Sequence, residues 1–231
     1  LNPLKVTVRN KTNEANAENG CVNHNVPDFP FDPSRGGSHT VSYGNSFFID
    51  RNDFRMVDSE DYYGLAPGKV VGIKYCNARV RCVDVKVNEA GEPVEIICDD
   101  LSFVPGDDAK PKVTIQWVPA AGAVPVEVRM YNHLFINEEV DDDTWEQQLN
   151  PHSEIVVKTA LIDSSIVNHY KVEQGQHYQF ERIGFFVVDK DSVFDASNSA
   201  NNKLVFNLTV ALKDSKPVAE NAAATGAAAA A

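Results

Sequence analysis

The cysteine and histidine residues are the side chains of this sequence that could hold a metal ion. The spacings of the four cysteines match no zinc pattern, and Cys21 and His24 stand at a ligand-like spacing that no second pair completes. The six histidines form no pair at the spacing of metal ligands on a helix. We therefore predict no metal site, and we interpret the cysteines as reduced, mostly buried thiols of a cytoplasmic protein.

Motifs that cradle phosphates or present a nucleophile are also missing. The sequence has no G-x-G-x-x-G, no phosphate-binding P-loop and no G-x-S-x-G segment. A Ser-His-Asp set is a spatial arrangement that local sequence does not reveal, so its presence stays open. From these residues alone, a binding module is favoured over an enzyme.

The charge balance argues at first against a nucleic-acid partner. The formal net charge is -12, whereas proteins that bind nucleic acid usually present a basic face to the phosphates. Six acidic residues lie within the nine positions from Glu138 to Glu146, and we interpret them as a solvated loop. A nucleic-acid site would have to use local basic residues elsewhere, and a soluble acidic protein of another kind remains the alternative.

Short β-branched and alternating runs, bounded by Gly, Pro, Asn and Asp, dominate the chain. They predict about ten strands, and residues 163–170 predict one short helix. Gly91 marks a hairpin turn, while residues 14–46 and 137–151 are predicted to be long loops. No apolar run is long enough to span a membrane, and the start has no secretion signal. It also has no initiator Met, so we expect a fragment of a longer protein or a processed product. The predicted strands cover residues 4–8, 46–49, 69–73, 80–87, 94–98, 113–118, 126–131, 155–158, 178–188 and 204–212.

Several segments, in order, resemble the C-terminal anticodon-binding region of glutaminyl-tRNA synthetases. Among them, YYGLAPGK at 62–69 is similar to the corresponding segment of plant and protist members. The likeness runs over residues 1–214, and its strength lies in the order and spacing of the segments. They are LNPLKV at 1–6, FIDRNDFR at 48–55, DYYGLAPGK at 61–69, IQWV at 115–118, PVEVRMYNHLF at 125–135, QFERIGFF at 179–186 and VFNLTV at 205–210.

The resemblance implies an all-β fold of two β-barrels, with the distal barrel inserted into the proximal one, a ribosomal-protein-like anticodon-binding fold. It implies a distal barrel over residues 56–136 and a proximal barrel formed by residues 1–55 and 137–214. Residues 215–231 are left as an alanine-rich, low-complexity tail.

Four residues are expected to contact the anticodon. The resemblance places Gln179 and Arg182 at the middle base, a uridine, and Lys74 near the first base. An amide offers one acceptor and two donors to the uridine edge, and the guanidinium fork suits a carbonyl or a phosphate. Without the family context, Gln179 and Arg182 would be ordinary strand residues and Lys74 a solvated lysine. At the third base the sequence has glycines, Gly64 and Gly72, where bacterial relatives carry arginines. Lys69, Arg79 or Arg81 could substitute for them, or this base is read differently.

The resemblance also implies what lies outside this sequence. Family members carry their ATP and glutamine sites, with ATP used together with magnesium, in an upstream catalytic domain whose H-I-G-H-like and K-M-S-K-S-like motifs are not found here. We expect this chain to hold no cofactor and to catalyse no reaction. Its expected partners are a glutamine-specific tRNA and the catalytic domain of the same polypeptide. We expect it to bind neither a membrane nor DNA. The alternatives are a eukaryotic-type glutamyl-tRNA synthetase, a stand-alone RNA-binding β-barrel protein and a non-RNA interaction module.

The remaining conspicuous residues are interpreted as structural. Six aromatic residues in strand patterns are expected in the barrel core. Arg51 and Arg129 are expected to pair with acidic neighbours such as Asp53 and Glu127. The six aromatics are Trp117, Tyr131, Phe135, Phe180, Phe185 and Phe206.

Overall fold

The computed structural model describes residues 1–9, 21–102, 110–170, 172–195 and 202–212. Strands dominate this part of the chain, with one four-residue helix, α1 (Ser165–Asn168), and short 3-10 turns at Pro33–Arg35, Arg51–Asp53 and Trp145–Gln148. The prediction of an all-β protein is therefore confirmed. The strands are β1 (Pro3–Val8), β2 (Val22–Pro27), β3 (Ser38–Tyr43), β4 (Ser46–Asp50), β5 (Val70–Ile73), β6 (Ala78–Val87), β7 (Pro93–Asp100), β8 (Thr114–Ile115), β9 (Val118–Pro119), β10 (Val124–Tyr131), β11 (Glu154–Ile162), β12 (His177–Phe180), β13 (Gly184–Val188) and β14 (Val205–Ala211).

The chain forms two compact units that alternate along the sequence. Unit 1 consists of Leu1–Val124 together with Leu161–Lys171, and unit 2 consists of Pro125–Ala160 together with Val172–Ala231. These boundaries differ from the predicted ones at residues 55 and 136. The sheet pairing explains the difference, because β1 and β4 share one sheet with β5, β6 and β7.

Unit 1 is built on a seven-stranded sheet in the order β8-β5-β6-β7-β1-β4-β9. Its two edge strands, β8 and β9, are separated in the chain by only Gln116 and Trp117. Because a two-residue connection cannot span a flat sheet of seven strands, the sheet must curl until its edges meet. The unit is therefore a barrel-like sheet whose inward-facing residues fill its centre.

The core of unit 1 follows the two-residue period of these strands. Leu4, Val6 and Val8 of β1 are buried, and the residues between them are more exposed. Trp117 packs edge-on against Tyr43 and Phe47, with ring centroids 5.6 and 5.7 Å apart. Full burial of such aromatic side chains contributes on the order of 2–3 kcal/mol each.

Unit 2 contains a five-stranded sheet in the order β11-β10-β14-β13-β12. Phe186 of β13 and Phe206 of β14 are fully buried. Phe180 of β12 stacks on Phe186, with ring centroids 4.2 Å apart, and lies 5.3 Å from Phe206. One face of β12, β13 and β14 is thus packed as a core, and the opposite face is the one that alternation leaves outward.

The β2–β3 hairpin corrects the prediction of a long loop over residues 14–46 for its described part, residues 21–46, whereas residues 14–20 lie outside the described residues. Residues 22–27 pair with residues 38–43 in a continuous antiparallel register. Few of these residues are apolar, so the period-2 signal that predicts a strand is weak. Asp28, at the end of β2, accepts hydrogen bonds from the Tyr170 hydroxyl and from His39 Nδ1, the latter at 2.8 Å. Although desolvation acts to raise the pKa of Asp28, these bonds lower it overall.

Several local predictions are confirmed. The short helix lies within residues 163–170, and Gly91 adopts a φ of 80° in the β6–β7 turn. Cys76, Cys82 and Cys98 are buried free thiols, and burial raises the pKa of Cys82 to about 11. All six acidic residues of 138–146 are exposed, and the alanine-rich tail lies outside the described residues. In the described part of the chain, no helix is long and apolar enough to cross a membrane.

Candidate nucleic-acid interface

Gln179 lies on the outward face of β12 in unit 2. His177 and Gln179 are exposed, whereas Tyr178 and Phe180 alternate with them and turn inward. Burial raises the pKa of the Tyr178 hydroxyl. The backbone register sets Gln179 directly opposite Phe185 of β13, so both side chains project from the same face. The Gln179 amide is therefore presented to solvent by a strand whose other face is fixed in the core.

Arg182 lies in the tight turn that joins β12 to β13. The amide of Ile183 donates to the carbonyl oxygen of Phe180 at 3.0 Å, which closes the turn. Arg182 is exposed and has a φ of 66°, the left-handed region that usually selects Gly or Asn. Such a conformation costs a side-chain-bearing residue on the order of 1 kcal/mol. The turn thus holds the Arg182 backbone in a strained conformation and exposes its side chain at the end of the strand that contains Gln179.

Lys74 follows β5 in unit 1, at the turn into β6. Its backbone amide donates to the carbonyl oxygen of Ile115 at 3.1 Å, and its carbonyl oxygen accepts from Trp117 Nε1 at 2.9 Å. Its ammonium lies 5.1 Å from the ring centroid of Tyr75, a cation–π contact. Tyr75 has a φ of 67°, a conformation that is rare for an aromatic residue.

Lys69 occupies a different environment in unit 1. Its ammonium donates to Asp58 Oδ1 and to the carbonyl oxygen of Tyr62, both at 2.6 Å. The side chain is only 12% exposed and also lies 5.2 Å from the Tyr62 ring centroid. The Lys69 hydrogen bond is the main reason that the pKa of Asp58 is lowered. Lys69 therefore fastens the segment before β5, and its charge is already satisfied inside the unit.

The two glycines that replace expected arginines are held in close contacts. A Cβ atom at Gly64 would clash with the Tyr62 ring and would lie 2.7 Å from the carbonyl oxygen of Asp53. At Gly72 it would lie 2.8 Å from Thr114 Oγ1. Packing around these positions leaves no room for a longer side chain without rearrangement. Of the alternative cations, Arg79 donates to the carbonyl oxygen of Leu101 at 2.9 Å.

The structural interpretation of the aromatic residues is confirmed in part. Trp117 and Phe206 are buried, and Phe135 and Phe180 are half-buried. The expectation was wrong for Tyr131 and Phe185, which are 53% and 41% exposed. The sequence contained a signal for Phe185, because Phe185 and Phe186 are consecutive in a strand and must point to opposite faces.

The two arginines expected to form ion pairs differ. Arg129 bridges carboxylates within unit 2, with Nε 2.8 Å from Glu127 Oε1 and Nη1 2.8 Å from Asp191 Oδ2. Arg51 donates from Nη1 to the carbonyl oxygen of Pro93 at 2.7 Å. Both arginines thus have structural partners. Across the described ranges, no group of three or more His, Cys, Asp or Glu residues is placed to hold a metal ion.

Two sequence models with the same description match this chain: "tRNA synthetases class I (E and Q), anti-codon binding domain". One matches residues 1–100 and the other residues 114–189, and together they cover about three quarters of the chain. The chain belongs to this anticodon-binding family. Gln179 and Arg182, on the outward edge of unit 2, fall within the second match.

The chain is also similar to curated proteins that are named as glutamine–tRNA ligases. It is 36% identical over 219 residues to a probable glutamine–tRNA ligase of Dictyostelium discoideum and 38% identical over 220 residues to the glutamine–tRNA ligase of Lupinus luteus. It is 34% identical over 218 residues to that of Nitrobacter winogradskyi. These alignments cover 93–94% of this chain but only 25%, 26% and 36% of the three relatives. The chain thus spans about a quarter to a third of their length.

Proposed function

We propose that this chain binds the anticodon loop of a glutamine-specific tRNA as the tRNA-reading region of a glutamine–tRNA ligase. The observation that carries the proposal is the outward placement of Gln179 and Arg182 in a chain of the anticodon-binding family. Bases of a single-stranded loop can be splayed out and read along their edges by such side chains. In the parent enzyme, a region outside this chain would attach glutamine with ATP and magnesium, and the protein would act in the cytoplasm.

Gln179 is proposed to read the middle base, a uridine. Its amide can accept from the N3–H of uracil and donate to a neighbouring carbonyl oxygen. Cytosine presents an unprotonated N3 and an amino group at that edge, so the same amide orientation fits it less well. Arg182 is proposed to add a charged donor to a base carbonyl or an adjacent phosphate.

Lys74 is proposed to supply positive charge near the first base. A lysine acts as a compact charge and lacks the fork of an arginine, so its contribution would be attraction to phosphate. We do not extend the proposal to Lys69, because its ammonium is held by Asp58 and the Tyr62 carbonyl. The relatives named above are glutamine–tRNA ligases, which favours glutamine over the glutamate named in the same family description.

The test measures the binding of the 231-residue protein to three short anticodon stem-loop RNAs. Two have the sequences of a glutamine tRNA and a glutamate tRNA, and the third is the glutamine stem-loop with cytidine at the middle base. The wild-type protein should prefer the glutamine RNA with uridine. Gln179→Ala should reduce the preference for uridine over cytidine by about 1–3 kcal/mol, by analogy with bidentate base contacts in DNA.

Lys74→Ala is the matched contrast in the same experiment. It should weaken binding to the uridine and cytidine RNAs equally and reduce the slope of log K against log salt by about 0.7, the loss of one phosphate contact to a single strand. If Gln179→Ala weakened both RNAs equally, Gln179 would be a scaffold residue. If the wild-type protein bound no stem-loop, or did not distinguish them, the proposed function would be wrong.

A further inference from the structure

Three exposed side chains form a row across the outward face of β12, β13 and β14. Gln179 is paired in register with Phe185, and Phe185 is paired with Val210. Directly opposite residues of an antiparallel pair have Cβ atoms about 4.5–5.5 Å apart and project from the same face. Val210 is 59% exposed. An amide, an aromatic ring and a small aliphatic group therefore stand side by side on the surface of unit 2.

We propose that Phe185 is a stacking platform for the anticodon base whose edge Gln179 reads. This inference rests on the proposed function and adds a residue that binds the face of the base. Gln179 is proposed to bind the edge of the base, and Arg182 a base carbonyl or an adjacent phosphate. A base lying flat on the Phe185 ring would bring its Watson–Crick edge toward the adjacent Gln179 amide. Every nucleobase has a π-face, so the ring supplies affinity and leaves discrimination to the amide.

The packing of the sheet separates Phe185 from the core aromatics beside it. Phe180, Phe186 and Phe206 stack together on the inward face. Among the residues that the structure describes, Phe185 takes part in none of the ring contacts found in unit 2, which also include Tyr178 with Phe206. Phe185, on β13 beside the edge strand β12, leaves apolar surface exposed to solvent, and a stacked base would cover that surface.

A β-bulge lies at the same place. The β13–β14 register passes from Phe185–Val210 to Phe186–Leu208, so Thr209 is the extra residue. Its hydroxyl donates to the carbonyl oxygen of Phe185 at 2.9 Å, which satisfies a backbone group beside the irregularity. Bulges of this kind re-aim neighbouring side chains and are common beside functional sites. Phe185 and Phe186 face opposite sides of β13 by ordinary alternation, and the bulge in β14 lets Val210 stay exposed opposite Phe185 while the less exposed Leu208 pairs with Phe186.

The neighbouring polar groups indicate an RNA base as the occupant of this face. An apolar protein partner would bury the Gln179 amide and the exposed Arg182 guanidinium, which lies three residues further along the chain. A nucleotide offers base-edge donors and acceptors to the amide and a phosphate to the guanidinium. Phe185, Gln179 and Arg182 therefore match, respectively, the face of the base, its edge and the phosphate of a single nucleotide.

The experiment compares Phe185→Leu with Phe185→Tyr, using glutamine anticodon stem-loop RNAs that carry uridine, cytidine or an abasic residue at the middle position. Phe185→Leu keeps apolar bulk and removes the π-face, whereas Phe185→Tyr keeps the ring. Phe185→Leu should raise the Kd for the uridine and cytidine RNAs by a similar factor, about 5- to 100-fold, and leave the Kd of the abasic RNA unchanged. Phe185→Tyr should bind within about twofold of wild type, since it retains the stacking surface.

Tyr131→Leu is the matched control, because Tyr131 is an exposed aromatic residue of β10 in the same sheet, and it should leave all three Kd values unchanged. A Phe185→Leu protein that binds the uridine RNA as tightly as wild type overturns the stacking inference alone. An equal loss of affinity of Phe185→Leu for the abasic RNA overturns the inference as well. So does a loss of RNA affinity in Tyr131→Leu protein whose thermal unfolding is unchanged. Failure of wild-type protein to bind or to distinguish uridine from cytidine overturns the proposed function and this inference together.

Discussion

The β5–β6 turn of unit 1 and the β12–β13 turn of unit 2 carry two of the proposed RNA-contacting residues, Lys74 and Arg182, and share one backbone feature. Each holds a large side chain in the left-handed region, Tyr75 with φ 67° and Arg182 with φ 66°. They differ in how they are fastened. The first turn is tied to the core through Trp117 Nε1 and the Lys74 carbonyl oxygen, whereas the second presents exposed Gln179 and Arg182 at a sheet edge. We therefore expect substitutions at the first turn to change stability and RNA binding together, and substitutions at the second turn to change RNA binding alone.

Trp117→Ala should give the largest effect, because it removes the anchor of the β5–β6 turn. The change deletes a buried indole that contacts Tyr43 and Phe47 and leaves the Lys74 carbonyl without its donor. We expect the free energy of unfolding to fall by about 3–5 kcal/mol. Urea unfolding followed by circular dichroism measures the loss, and Trp117→Phe, which keeps a ring, should lose less than half as much. Wild-type stability in Trp117→Ala would show that the turn is fastened elsewhere.

Gly184→Ala and Gly72→Ala compare the tolerance of the two hairpins. At Gly184 a new Cβ would lie 2.7 Å from the carbonyl oxygen of Val210, a backbone atom that cannot rotate away. At Gly72 the blocking atom is the Thr114 hydroxyl, at 2.8 Å. We expect losses of about 2–3 kcal/mol and about 1 kcal/mol respectively, as overpacking usually costs.

A second substitution separates the two kinds of clash. Thr114→Ala should remove most of the cost of Gly72→Ala, measured as a double-mutant cycle in urea. A Cβ atom at Gly184 would also lie 2.6 Å from Leu208 Cδ1, but Leu208→Ala should not rescue Gly184→Ala, since the contact with the Val210 carbonyl oxygen remains. Rescue of both, or of neither, would contradict the distinction between a side-chain and a backbone obstacle.

Arg182→Gly should give the smallest change in stability and the clearest separation of binding from folding. Glycine adopts a φ of 66° without steric cost, so the free energy of unfolding should be unchanged or rise by up to about 1 kcal/mol. Affinity for the glutamine stem-loop RNA should nevertheless fall about tenfold, the range of a charge-assisted contact. Arg182→Lys keeps the strain and the charge and should bind more tightly than Arg182→Gly. A clear loss of stability in Arg182→Gly would mean that the guanidinium fastens the turn.

The sequence predicted most strands because their apolar residues recur with a period of two. It missed the β2–β3 hairpin, whose residues are mostly Asn, His, Ser and Thr and are held by register and by the Asp28 contacts. The domain boundaries implied by the resemblance separate β1 and β4 from β5, whereas the parallel pairing of β1 with β7 places all three strands in one sheet. Which distant strands pair depends on which strand edges are still unpaired, and no short stretch of the sequence shows this.

The candidate site was predicted from motif order, and the structure adds what motifs do not contain. Gln179 and Arg182 were named from QFER, but that motif does not reveal that Arg182 occupies the left-handed region. Lys69 was chosen for its charge, which the sequence could not show to be held by Asp58. The consecutive Phe185 and Phe186 must face opposite sides of β13, but the sequence alone does not show which of the two faces inward.

The position of β1 in the sheet affects how unit 1 can fold during synthesis. β1 lies between β4 and β7, and Lys5 is in register with Glu95, so the first strand stays half-paired until the chain has been made through β7. The last segment of the unit, residues 161–171, is made later still and supplies the Tyr170 hydroxyl bound by Asp28. Contacts between residues so far apart in sequence slow folding and leave a strand edge open meanwhile. A ribosome-bound chain stopped before residue 93 should therefore be sensitive to protease throughout unit 1.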